Sequence, residues 1–153
     1  ITGGSHEFKQ RAGTENVPGI IGFARAVELT SGVEGMTELR DYLIKELQSF
    51  KGARINGSLT NRLPNNVNVT FSGVEGEALL LHLDARGIAV STGSACSSES
   101  LKPSHVLTAI GLKPEQAHGT IRVTLSRFTT KEEIDYLLEC LREIIPKLRS
   151  MSP

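Results

Sequence analysis

The sequence carries two cysteines in opposite settings. Cys96 is the centre of Ser91-Thr92-Gly93-Ser94-Ala95-Cys96-Ser97-Ser98, whose side chains are too small to build a core around a sulfur. Cys140 lies beside a stripe of apolar residues at helical spacing and reads as structural. A thiol reacts as its thiolate, about 3% of an ordinary cysteine at pH 7, and must be reachable to do so. Its neighbours leave Cys96 as either a nucleophile or an incidental loop thiol. Arg122 is the second residue out of place. In Thr120–Ser126, Ile121, Val123 and Leu125 alternate with Arg122, Thr124 and Ser126, so the arginine shares a strand face with hydroxyls. If that face lines a cleft, the guanidinium fork can hold a carboxylate in two parallel hydrogen bonds. Otherwise Arg122 is a surface arginine on a solvated sheet. His105, downstream of Cys96, is either an exposed helix histidine or the base of a Cys-His pair, as in a hydrolase.

The elements that must position these residues can be read from periodicity. Residues 1–17 are polar and glycine-rich and predict a loop. Pro18 suits the first turn of a helix whose apolar positions 20, 21, 23, 24, 27 and 29 predict a mostly buried segment. After the break at 31–35, Met36, Leu39, Leu43, Leu47 and Phe50 mark one face of a second helix. Strands are expected around Ile55, over 67–71, over 88–91 and over 120–126. Helices are expected over 75–87, stopped by Gly87, and over 103–111, with Pro103 at the start and Gly111 at the end. Thr130-Lys131-Glu132-Glu133 has the spacing of a capping box, and Ile134, Leu137, Leu138, Leu141, Ile144, Ile145 and Leu148 form the stripe behind it. Pro146 is expected to bend or fray that helix near its end. The order predicts an α/β fold, with helices packed on a small mixed sheet.

Bulk properties narrow the function classes. With 153 residues the chain suits one domain with a sizeable core. Seventeen basic residues balance seventeen acidic ones, so nothing points to nucleic acid or an anionic membrane as partner. The apolar runs are too short to span a bilayer. Two distant cysteines without a Cys-x-x-Cys argue against a zinc knuckle and a disulfide framework, and for a reducing cytoplasm. The chain opens Ile1-Thr2-Gly3-Gly4 without methionine.

Four segments resemble the class I cysteine desulfurases of the NifS/IscS type. Ser91-x-Gly93-Ser94-x-Cys96 with residues 101–112 resembles their active-site loop and following helix. Residues 120–135 resemble their last strand and final helix, and 62–71 a further family segment. Residues 3–16 resemble the stretch that ends their large domain. The resemblance implies the small C-terminal domain of a fold-type I pyridoxal 5′-phosphate enzyme. Residues 1–33 would be the tail of the large cofactor domain and 34–153 the small domain. It implies removal of sulfur from L-cysteine to give L-alanine and a persulfide on Cys96, for delivery to an iron–sulfur scaffold or a tRNA-thiolation enzyme. A small-residue loop suits a thiol that must reach both the substrate and an acceptor. Arg122 corresponds to the arginine that grips the substrate carboxylate. Thr14 corresponds to the threonine that hydrogen-bonds the cofactor phosphate of the other subunit in a homodimer. Cys96 is also implied as an iron ligand at a cluster shared with the acceptor. Arg11 and Asn16 belong to the same matched stretch, but serve equally well to hold the loop's shape. None of the seven lysines follows a Ser-His pair, as the family's Schiff-base lysine does, so the chain reads as a piece of the enzyme, inactive alone. The alternative is a stand-alone persulfide carrier without cofactor chemistry of its own.

Overall fold

Ile121, Val123 and Leu125 are buried and Arg122 and Thr124 exposed along β4 (Thr120–Thr124) and the residue beyond it, as the alternation requires. This is seen in a computed structural model that describes residues 2–30, 33–92 and 103–151. The chain forms two units, Ile1–Ser31 and Gly32–Pro153. In the second, β4 is an inner strand of a four-stranded sheet of order β1-β2-β4-β3, with β1 Ala53–Ile55, β2 Asn66–Phe71 and β3 Ser91–Thr92. Every pair is antiparallel. Helices on a small sheet were expected, and a mixed sheet with them. The difference arises because β4 inserts between β2 and β3. Those two strands run parallel to each other, joined through α3 (Gly76–Asp84), but never pair.

Helices α2 (Val33–Gln48), α3 and α6 (Lys131–Met151) bury their apolar residues against the face carrying Val67, Val69, Phe71, Ile121 and Val123. All seven stripe residues of α6 are buried there, and so is Cys140, at 1% exposure. Both limbs of the capping box form: the Thr130 amide donates to Glu133 Oε2 at 2.9 Å, and the Glu133 amide to Thr130 Oγ1 at 3.3 Å. Pro146 lies inside α6, which continues to Met151. Gly87 adopts φ +77° just beyond α3, a conformation that favours glycine. Gly119 fixes where β4 begins, since a Cβ there would lie 2.8 Å from the carbonyl oxygens of both Phe71 and Val74. This close approach lets the Phe71 amide donate to Gly119 O at 2.8 Å and sets the register of β4 on β2.

Three local expectations change. The strand expected over 88–91 pairs only at Ser91–Thr92, while Ile88 and Val90 are half-buried against the core without joining the ladder. The helix expected over 103–111 spans His105–Ala109 (α4) and is followed by the unforeseen α5, Pro114–His118. Leu107, Leu112 and Ala117 form a small core of their own. In the first unit, α1 (Val17–Glu28) starts as expected, with Pro18 in its first turn and Asn16 Oδ1 accepting from the Gly19 amide at 3.1 Å. None of its residues is buried, however, and Phe23 is 74% exposed. The described part of this unit holds one other element, the 3₁₀ turn Glu7–Lys9, which is too little chain to cover an apolar helix face.

Candidate functional site

The face of the sheet opposite the helices is polar. Strand alternation puts Asn66, Asn68 and Thr70 of β2 on it, with Thr120, Arg122 and Thr124 of β4, Arg54 of β1 and Ser91 of β3. Pairing aligns them in rows. Asn68 and Ser91 are both register partners of Arg122, one on each side. The Arg122 guanidinium is exposed, and its Nη2 lies 3.5 Å from Ser91 Oγ. Ser91 has a one-carbon side chain, so this contact folds the long arginine down toward the sheet on the β3 side. An exposed guanidinium between two short polar side chains is a seat for an anion with planar oxygens.

Behind this row runs a buried hydrogen-bonded chain. Asn56 Nδ2 donates to Asn68 Oδ1 and to Thr70 Oγ1, each at 2.8 Å. Thr70 and Thr120 hydroxyls are 2.7 Å apart, and Thr120 Oγ1 lies 3.0 Å from the Gln116 carbonyl oxygen. A carbonyl only accepts, so the direction is fixed: Thr120 donates to Gln116, Thr70 to Thr120, and Asn56 to Thr70. Asn56, Thr70 and Thr120 are 3%, 5% and 0% exposed. The chain ties β1, β2, β4 and the end of α5 together beneath the polar face, and it fixes the Asn68 amide with its oxygen toward Asn56. Asn68 Nδ2 then lies 3.4 Å from the Ile121 carbonyl oxygen, beside Arg122. Arg62 closes the far end by donating from Nη2 to the Asn56 carbonyl at 2.8 Å. Burial, and then the positive Arg40, lower the pKa of this guanidinium from its ordinary value.

A cleft of about 520 Å³ opens beside this chain, lined by Arg54, Thr70, Glu75, Glu115 and His118 among others. Glu75 is committed to capping α3, accepting from the Glu77 and Ala78 amides at 3.0 and 2.7 Å. Among the described residues, neither the cleft nor the Arg122 row contains a lysine. Pyridoxal 5′-phosphate needs a lysine for its Schiff base, so it does not fit on the described residues of the cleft and the row by themselves. Among the described residues, no three of the His, Cys, Asp and Glu side chains come together as a metal site, and no helix is long and apolar enough to cross a membrane.

The residues singled out in the sequence fall in three places. Arg122 stands in the row above. Thr14 is exposed in the first unit, where neighbouring residues serve the loop. Arg11 donates to the Ala12 and Gly13 carbonyls and pairs with Glu15 at 3.4 Å, and His6 Nδ1 accepts from the Gly13 amide at 3.2 Å. Cys96, with Gly93 and Ser94 of its motif, lies outside the described residues, and so does any pairing with His105, an exposed residue at the start of α4. Asn68 and Asn56 were not foreseen as site residues. A signal for Asn68 was available in "NVNVTF", where alternation places it on the face opposite Val67 and Val69, but only strand pairing sets it beside Arg122; Asn56, just beyond β1, carries no such local signal.

Comparison with known proteins places this architecture. The family model described as Aminotransferase class-V matches residues 3–137. Cysteine desulfurase IscS of Dictyoglomus turgidum is 55% identical over 100% of this chain and 40% of its own length. The IscS proteins of Methanosarcina thermophila and Archaeoglobus fulgidus are 54% and 51% identical, again over the whole chain. The chain thus spans about 40% of the length of these curated relatives. A solved NifS-like protein superposes with a TM-score of 0.75 at 38% identity, covering 96% of this chain and 38% of that one. A second, from Rickettsia africae, gives 0.75 at 31% identity over 95% and 39%.

Proposed function

This chain belongs to the aminotransferase class-V family, and on that premise we propose that it is the C-terminal part of a cysteine desulfurase. Residues 1–33 are read as the tail of the large domain and 34–153 as the small domain. The reaction moves one sulfur. The C–S bond of L-cysteine breaks, a new S–S bond forms to the Cys96 sulfur, and L-alanine leaves. Atoms and electrons balance, since the thiol proton and the substrate's hydrogens are shared between alanine and the terminal persulfide. No external oxidant or reductant is consumed. In the complete enzyme, pyridoxal 5′-phosphate supplies the electron sink, held by a lysine this sequence does not contain.

This chain contributes three groups. Cys96 is the acceptor thiol and, with a partner scaffold, an iron ligand. Arg122 holds the substrate carboxylate, and its exposure in a row of donors supports that role. Thr14 offers its hydroxyl to the cofactor phosphate of the other subunit in a homodimer. The persulfide passes on to an iron–sulfur scaffold or a tRNA-thiolation protein in the cytoplasm. The chain alone neither holds the cofactor firmly nor releases sulfur. The observation that carries this reading is the identity of 51–55% to proteins named cysteine desulfurase over the whole chain. The test is Cys96→Ala in the complete enzyme. Cofactor absorbance should be kept and cysteine-dependent sulfur release lost; unchanged turnover would refute the assignment.

A further inference from the structure

We propose that Asn68 is a second substrate-binding residue, donating from its side-chain amide to the same carboxylate that Arg122 holds. The inference rests on the desulfurase reading only for the identity of the ligand; the geometry is independent of it. Asn68 is the register partner of Arg122 on the adjacent strand, and both side chains rise from the same face. The Asn68 amide is not free to turn. Its Oδ1 accepts from Asn56 Nδ2 at 2.8 Å, and Asn56 is 3% exposed and held by Thr70 as well. The NH₂ end therefore faces β4. It carries two protons, of which one is directed at the Ile121 carbonyl at 3.4 Å, leaving the other for a ligand.

On the opposite side of the row, the Ser91 contact draws the guanidinium down and toward β3, leaving the ground between Arg122 and Asn68 for an anion. A carboxylate has about four acceptor positions, and the arginine fork uses two. The Asn68 N–H suits a third. The seat is thus a built row in which Asn68 touches the ligand and Asn56 acts through Asn68 as a positioning residue. Such a row selects amino acids that keep a free carboxylate over the same molecules with that group amidated.

The test uses the holoenzyme and two ligands, L-alanine and L-alaninamide, whose neutral amide replaces the carboxylate. Their dissociation constants are measured by calorimetry for the parent, Asn68→Ala, Asn68→Asp and Arg122→Lys. Asn68→Asp keeps an oxygen for Asn56 Nδ2, so it guards against a result that reflects lost folding. Removing one charge-assisted hydrogen bond should weaken L-alanine about tenfold or more in Asn68→Ala, with little change for the amide. Asn68→Asp should weaken L-alanine further and narrow or reverse the preference. Equal weakening of both ligands, or unchanged L-alanine binding in both Asn68 variants, overturns the proposal. Should Arg122→Lys weaken L-alanine while the Asn68 variants do not, the inference fails and the carboxylate-seat reading stands. If Arg122→Lys also leaves L-alanine binding unchanged, both fail.

Discussion

Replacing Asn56 with alanine should destabilise the second unit more than its size suggests. The side chain is 3% exposed and gives two hydrogen bonds of 2.8 Å, to Asn68 Oδ1 and Thr70 Oγ1. Each is worth about 1 kcal/mol net. Thr70 Oγ1 would be left buried with an unfilled acceptor, which costs about 1 kcal/mol more. Against this, Asn56 Oδ1 is buried and has no partner among the described residues, so its removal recovers part of the loss. The sum is about 2–3 kcal/mol. Thr70→Val cuts the same chain one link later and should cost about 1–2 kcal/mol. Because the two residues share one bond, the double variant should cost less than the sum of the singles, by at least about 0.5 kcal/mol. Urea unfolding followed by far-ultraviolet circular dichroism measures all three. A loss below about 0.5 kcal/mol for Asn56→Ala, or strict additivity with Thr70→Val, would refute the idea that a directed chain braces the polar face.

Two further outcomes follow from charge. Arg122→Lys in the complete enzyme replaces a two-pronged contact with a point charge and should raise the KM for L-cysteine roughly ten- to a hundredfold with a smaller effect on kcat, as steady-state assays would show. Asp135 accepts from Lys131 Nζ at 2.7 Å and from the Tyr42 hydroxyl at 2.6 Å, and these bonds, Lys131 first, hold its pKa below the ordinary carboxylate value. A carboxyl depressed by folding adds stability above its unfolded pKa, about 3.9, and loses it as the pH falls through the folded value. Asp135→Asn should therefore show a smaller drop in unfolding midpoint between pH 5 and pH 3 than the parent.

Much of this was legible in the sequence wherever a long period or a local motif dominates. α6 is readable because seven apolar residues from Ile134 to Leu148 keep one face of a 21-residue helix and Thr130–Glu133 marks its start. β2 and β4 are readable because each alternates cleanly. Other features depend on partners distant in the chain. The antiparallel sheet follows from β4 sliding between β2 and β3, which no single segment encodes. Five residues of α5 are too few to show a period. Ile88 and Val90 look like a strand, since apolar burial reads the same whether or not a ladder forms. Thr70 and Thr120 sit on the polar side of the alternation yet are buried, because side-chain hydrogen bonds satisfy their hydroxyls. Arg122 could be singled out from its strand alone; Asn68 and Ser91 become its neighbours only through register.

The central claim, that one sulfur atom passes from L-cysteine to Cys96, has a direct measurement. The complete enzyme is mixed briefly with L-cysteine, alkylated, digested, and the peptide containing Cys96 is weighed by mass spectrometry. This peptide should gain a single sulfur, Cys140 should not, and L-alanine should appear in equal amount during the first turnover. A Cys96 peptide that stays unmodified while alanine accumulates would contradict it.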